Sequence, residues 1–186
     1  MAITNPIETL MECHEDILRQ LNIFEAVLLD LEQNGINAFV RQRESISETF
    51  EFFDTTLVLH IMDEEEGLFP LLEPMLQRRS VPHPHFERTP IQAIEEQHRK
   101  AEEAAQRLKI LNSKLQSEFD QSRSAILLEE FVKKGKALIS FYREHVRGEN
   151  EAVFPLAQRL LTDEEKAKVA SVMNAHRGSV QSNLIC

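Results

Sequence analysis

The sequence predicts an all-α protein: an up-down antiparallel four-helix bundle with a short C-terminal helical tail. Three observations carry this. Apolar residues recur at alternating spacings of three and four, as one face of a helix requires. Leu, Glu, Ala, Ile and Phe are plentiful, while the 186 residues include only 5 Gly and no Trp. The chain also repeats itself, and two copies of a helix pair make four helices.

The first stripe reads Ile7, Leu10, His14, Ile17, Leu21, Phe24, Leu28 and Leu31, and Asn34-Gly35 is the expected stop. The second reads Ile46, Phe50, Phe53, Leu57, His60 and Glu64, with Leu68 and Leu71 beyond. A loop from Arg78 to Pro90, with Pro82 and Pro84 inside it, separates the halves. The third stripe reads Ile91, Ile94, His98, Ala101, Ala105, Leu108 and Leu115. After a turn near Asp120 the fourth reads Leu128, Phe131, Gly135, Leu138, Tyr142, His145, Glu149, Val153 and Leu156. Thr162, with Glu165 three residues on, opens a tail through Val169 and Val172.

The repeat relates residues 7–78 to 91–160. His14 maps to His98 and His60 to His145, and HIMDEEEGLFPLLEPML aligns with HVRGENEAVFPLAQRLL. A single domain over residues 1–186 is expected, with a core at 7–160 and a tail at 162–186.

A formal net charge of −10 disfavours phosphates and anionic lipids, so neither nucleic acid nor a membrane surface is an expected partner. The opening MAITNPIETL has no signal-peptide pattern, and no apolar run reaches the length of a membrane span. Cys13 and Cys186 make no disulfide framework, which fits a reducing compartment and a cytoplasmic location.

The informative residues are polar ones in core positions: His14, His60, Glu64, His98, His145 and Glu149. A buried carboxylate without a partner is costly, and a buried imidazole needs a partner too. His14 lies about 20 residues before the first turn and His60 about 23 after it, so both sit roughly 30–35 Å from it at about 1.5 Å per residue. Antiparallel pairing therefore brings all six to one level. Each His-x-x-x-Glu places its two side chains one turn apart on one face. A shared cation would neutralise them all. Imidazole suits iron, zinc, copper and nickel, and carboxylates suit harder ions.

In these motifs the chain resembles the hemerythrin-like family, whose cation-binding domains carry His, His-x-x-x-Glu, His, His-x-x-x-Glu in that order. Here the order reads His14, His60–Glu64, His98 and His145–Glu149, with Phe69-Pro70 and Phe154-Pro155 at matching distances beyond. The resemblance implies a non-haem di-iron centre, oxo- or hydroxo-bridged. Each iron would take two histidines, Glu64 and Glu149 would bridge, and positions would remain for O2, NO or peroxide. Zinc or manganese would accept the same residues. An unidentified redox partner is implied as well.

Two departures bear on function. Oxygen-carrying members have a histidine one turn after the third-helix His, where this chain has Glu102. They also tend to have Asp in the last motif, where it has Glu149. Both argue against reversible O2 carriage. The expected function is binding or sensing of O2, NO or peroxide. The alternatives are an enzyme acting on peroxide or NO, iron storage or donation under oxidative or nitrosative stress, and a metal-free structural bundle.

Around the six, Glu102 is either a solvated surface residue or an additional ligand. Tyr142 is either a core aromatic or a group bonded to a ligand. Phe69 and Phe154 are expected to close the cavity with apolar surface, and each following proline to bend or end its helix. His83, His85 and His176 are expected at the surface. Cys13 diverges from His14 by about 100° around the helix, which argues against ligation.

Overall fold

The computed structural model describes residues 3–79, 89–118 and 120–183. His83, His85, most of the expected loop and Cys186 lie outside them. Among the described residues every element is helical. None is long and apolar enough to cross a membrane.

Helix α1 spans Pro6–Arg41 and is broken in backbone geometry at Gly35, whose φ of +63° only glycine adopts without strain. The expected stop at Asn34-Gly35 is thus a kink. Helix resumes to Arg41, and the chain turns at Gln42. Next come α2 (Arg43–Phe52), a π-helical stretch Phe53–Leu57, α3 (Val58–Met62), a second π stretch Asp63–Leu68, and α4 (Phe69–Arg79). Helix α5 spans Pro90–Ser117 and α6 spans Gln121–Gly148; a third π stretch, Glu149–Val153, leads into α7 (Phe154–Leu160). Helix α8 closes the chain over Asp163–Asn183.

Short polar side chains set the helix starts. Thr89 accepts from the Gln92 N–H while Gln92 accepts from the Thr89 N–H. Thr162 and Glu165 exchange the same pair of bonds. Asp120 accepts from the Arg123 N–H at 2.9 Å. Each satisfies a donor that the first turn leaves without a partner.

Pro70 and Pro155 each follow a π stretch as the second residue of the next helix. A proline lacks the helical donor and its ring crowds the carbonyl four residues back. The chain answers by widening the preceding turn, so both helices continue past the prolines instead of ending there. Such single π turns are common at functional sites.

Two apolar clusters fill the interior. The larger contains Phe24, Phe39, Phe50, Phe53 and Phe131, whose rings meet edge-on at 6.2–6.5 Å. Gly135 makes room for Leu28: a Cβ there would lie 2.6 Å from Leu28 Cδ1, so a side chain at 135 would force Leu28 to shift. The smaller cluster contains Leu10, Leu68, Phe69, Val153, Phe154 and, from α8, Val169 and Met173. The tail is therefore a 21-residue helix built into the core, not a short appendage.

Candidate metal centre

The six polar residues form a layer between the two apolar clusters. His14 falls between Leu10 and Ile17, His98 between Ile91 and Ala101, and the two His-x-x-x-Glu pairs between Leu57 and Leu68 and between Tyr142 and Val153. All six are less than a tenth exposed, and Glu64 has no exposed surface.

Two of the three π stretches begin at or just before the glutamates, at Asp63 and at Glu149. Glu64 directs one oxygen to each side of the layer: Oε1 lies 3.4 Å from His60 Nε2, and Oε2 lies 3.4 Å from His98 Nε2. Glu149 Oε2 is 3.2 Å from both His14 Nε2 and His145 Nε2, and its Oε1 is 3.9 Å from His98 Nε2. Two overlapping donor groups result: His14, His60, Glu64 and Glu149, and Glu64, His98, His145 and Glu149. In each group the donor atoms lie within 4.8 Å of one another. Both carboxylates belong to both groups, as a bridged pair of cations would require.

The electrostatics point the same way. Both oxygens of Glu64 and of Glu149, His14 Nε2 and both ring nitrogens of His60 are buried without a hydrogen-bond partner. Native interiors leave only a few such atoms, and here six of the seven face one another, His60 Nδ1 lying behind its ring. His98 Nε2 and His145 Nε2 sit 3.1 Å apart, a contact comfortable only if a proton or a cation lies between them. Burial, then the charge of Glu149, pushes the Glu64 carboxyl well above the usual range. Burial and the three neighbouring histidines hold His60 well below its ordinary value. Burial pushes His145 down to about 4, although Glu149 opposes the shift. A proton can thus neutralise Glu64 but leaves His60 and His145 as neutral imidazoles with lone pairs facing inward. A divalent cation neutralises the carboxylates and accepts the imidazole lone pairs together, so the residues present fit one.

The far ring nitrogens are held from behind. His14 Nδ1 donates to Asn150 Oδ1 at 2.8 Å, His98 Nδ1 to Glu65 Oε1 at 2.7 Å, and His145 Nδ1 to Gln97 Oε1 at 2.9 Å. Each bond leaves the Nε2 lone pair facing the centre. Sequence reasoning assigned these three residues no role. Glu65 and Asn150 each follow a motif glutamate, but the cross-helix contact that makes them useful is not written in the spacing.

Phe154 stacks on His14 with ring centres 5.0 Å apart, and Phe69 on His98 at 6.2 Å, so each phenylalanine lies against a ring of the layer. Tyr142 is buried, and its ring edge meets His145 at 6.4 Å. Burial, with the charge of Glu102 adding to it, pushes its phenol up. Glu102 itself is exposed and belongs to neither donor group; it lines a cavity of about 530 Å³ together with Tyr142, Glu65 and His98.

His176 is not a surface residue. It is buried, its Nδ1 lies 2.8 Å from Asp63 Oδ1 and its Nε2 3.1 Å from Glu66 Oε2. Arg177 donates to Asp63 Oδ2. The fully buried Asp63 needed partners, and α8 supplies them. Cys13 is half-buried, belongs to neither donor group, and has its thiol pushed up mainly by burial.

The family model described as the hemerythrin HHE cation binding domain matches residues 5–157, a span that includes all six residues and stops short of α8. No curated protein and no solved structure matches the chain.

Proposed function

The chain belongs to the hemerythrin HHE cation-binding family, and on that premise we propose that it is a non-haem di-iron protein that binds or senses O2, NO or peroxide. Its four-helix up-down bundle, arisen by duplication of residues 7–78 and 91–160, works in the cytoplasm with α8 as an added brace. The observation that carries the reading is Glu64, fully buried and unpartnered, with one oxygen directed to each pair of histidines.

Iron held there would supply redox-active, Lewis-acidic positions able to take a small ligand. The chain's own residues do the rest. Four imidazoles and two carboxylates hold the ions, Phe69 and Phe154 keep bulk water from two of the rings, and Asn150, Glu65 and Gln97 fix ring orientation. A ligand reaches the layer through the cavity that touches His98, between the Glu65 and Tyr142 sides.

Stopped-flow mixing of the reduced, iron-loaded protein with O2, NO and peroxide tests this. An absorption change with at least one of them is expected, and silence with all three contradicts the reading.

The second reading is an enzyme that turns over peroxide or NO. It is favoured by the cavity itself, a space of about 530 Å³ beside His98 whose wall carries Glu65, Glu95 and Glu102 as groups able to pass protons to a substrate. Consumption of many equivalents of peroxide per chain, lost on His60→Ala, would select it.

A further inference from the structure

We propose that the two cation positions are unequal, and that the His98–His145 position is the tighter and fills first. This rests on the two-cation reading above and deepens it.

The ground is what stands behind each ring. Behind His98 is a carboxylate, Glu65 Oε1 at 2.7 Å, and behind His145 an amide, Gln97 Oε1 at 2.9 Å. Behind His14 is an amide, Asn150 Oδ1 at 2.8 Å. Behind His60 the described residues offer no such group: its Nδ1 is buried and has no hydrogen-bond partner among them. Glu65 and Asn150 occupy corresponding places. Each follows the glutamate of its own His-x-x-x-Glu and reaches the lone histidine of another helix, Glu65 to α5 and Asn150 to α1. The same device thus carries a negative charge on one side and none on the other.

Both shared carboxylates serve both positions, so they do not discriminate. The groups behind the rings do. A carboxylate behind an imidazole N–H raises electron density at the opposite nitrogen, and fixing the ring removes the orientational entropy that binding would cost. Outer partners of this kind change metal affinity by about 10–100-fold. The His98–His145 position has both rings fixed and one of them backed by charge. The His14–His60 position has one ring fixed by a neutral group. The cavity beside His98 also carries Glu95 and Glu102, with Arg99 and Lys109 in the same wall. Glu65 is a positioning residue here: it acts on the cation through His98.

Two-step binding alone would not decide the matter, because a first cation repels a second even at equal sites. The location of the first cation decides it. The test titrates Zn2+, a diamagnetic ion that perturbs only the rings it binds, into the metal-free full chain carrying 15N-labelled histidine. It follows the imidazole resonances, with calorimetry for the stepwise affinities. Up to one equivalent, the His98 and His145 signals should shift or broaden, with those of His14 and His60 following in the second equivalent. Glu65→Gln keeps an acceptor and removes the charge, on a side chain that is partly solvent-exposed and so tolerant of change. It should weaken the first step at least about tenfold and leave the second nearly unchanged. Asn150→Asp should tighten the second step.

If all four histidines respond together, or His14 and His60 respond first, the inference is overturned while two-cation binding stands. Unchanged stepwise affinities in Glu65→Gln overturn it as well. If no Zn2+ binds, the two-cation reading itself fails, and this inference with it.

Discussion

Arg177 donates to Asp63 Oδ2 at 2.7 Å, and Asp63 is the residue immediately before Glu64 in the π turn that aims Glu64 into the centre. His176 takes the other oxygen of the same carboxylate at 2.8 Å. Helix α8, outside the family-matched span, thus grips the turn that carries Glu64.

Arg177→Met removes one partner from a fully buried carboxylate. Breaking a buried pair from one side costs about 3–5 kcal/mol, and because Arg177 is itself about a third exposed the lower end is expected. Urea unfolding of the metal-free protein measures it. An unchanged midpoint would show that α8 does not brace the turn.

Glu64→Gln should have opposite effects on stability and on binding. In the metal-free protein it removes a carboxyl whose ionisation burial and Glu149 oppose. Near pH 8 the variant should therefore be more stable, by about 1–4 kcal/mol, since neutral replacement of poorly compensated buried charge is often stabilising. Cation stoichiometry should fall at the same time. Loss of both stability and binding would mean that Glu64 is compensated by something other than a metal.

Metal-free stability should fall in acid through the histidines. His145 is held near 4 and His60 well below its ordinary value, both chiefly by burial. Below the unfolded value of about 6.5 the unfolded chain takes up these protons and the folded chain does not. For each histidine the loss approaches about 1.4 kcal/mol per pH unit between about 6.5 and its folded value. The raised Glu64 acts in the other direction, destabilising the fold as pH rises above its unfolded value. A stability maximum between the two limits, seen in thermal melts across pH, is expected. Bound divalent cation should flatten the acid limb until the ligands protonate.

Gly135→Ala places a methyl group 2.6 Å from Leu28 Cδ1. Leu28 is fully buried and has little room to move, so a loss of about 1–3 kcal/mol is expected by calorimetric melting. A neutral result would show that α1 and α6 can separate freely.

Much of this molecule is legible in its sequence, for a definite reason. Helical stripes must bury one face, so a polar residue in a stripe declares itself; that is how His14, His60, Glu64, His98, His145 and Glu149 stand out, and counting turns brings them to one level. The cap at Thr162–Glu165 is local and equally readable. What the sequence does not display depends on contact between residues far apart in the chain. Asn150 meets His14 across 136 positions and Glu65 meets His98 across 33. His176 reads as a solvent-facing residue because its partners, Asp63 and Glu66, lie over a hundred positions away. The prolines read as bends or ends of their helices because widening of a turn into π geometry depends on the packing around it.

The central claim is that the buried layer exists to hold two cations. The most direct measurement is the metal content of the full chain after reconstitution with Fe2+ under anaerobic conditions and removal of loosely bound metal, with Glu64→Gln beside it. The account predicts about two iron ions per chain, falling in the variant. Fewer than one per chain in a folded protein, or equal content in both proteins, would contradict it.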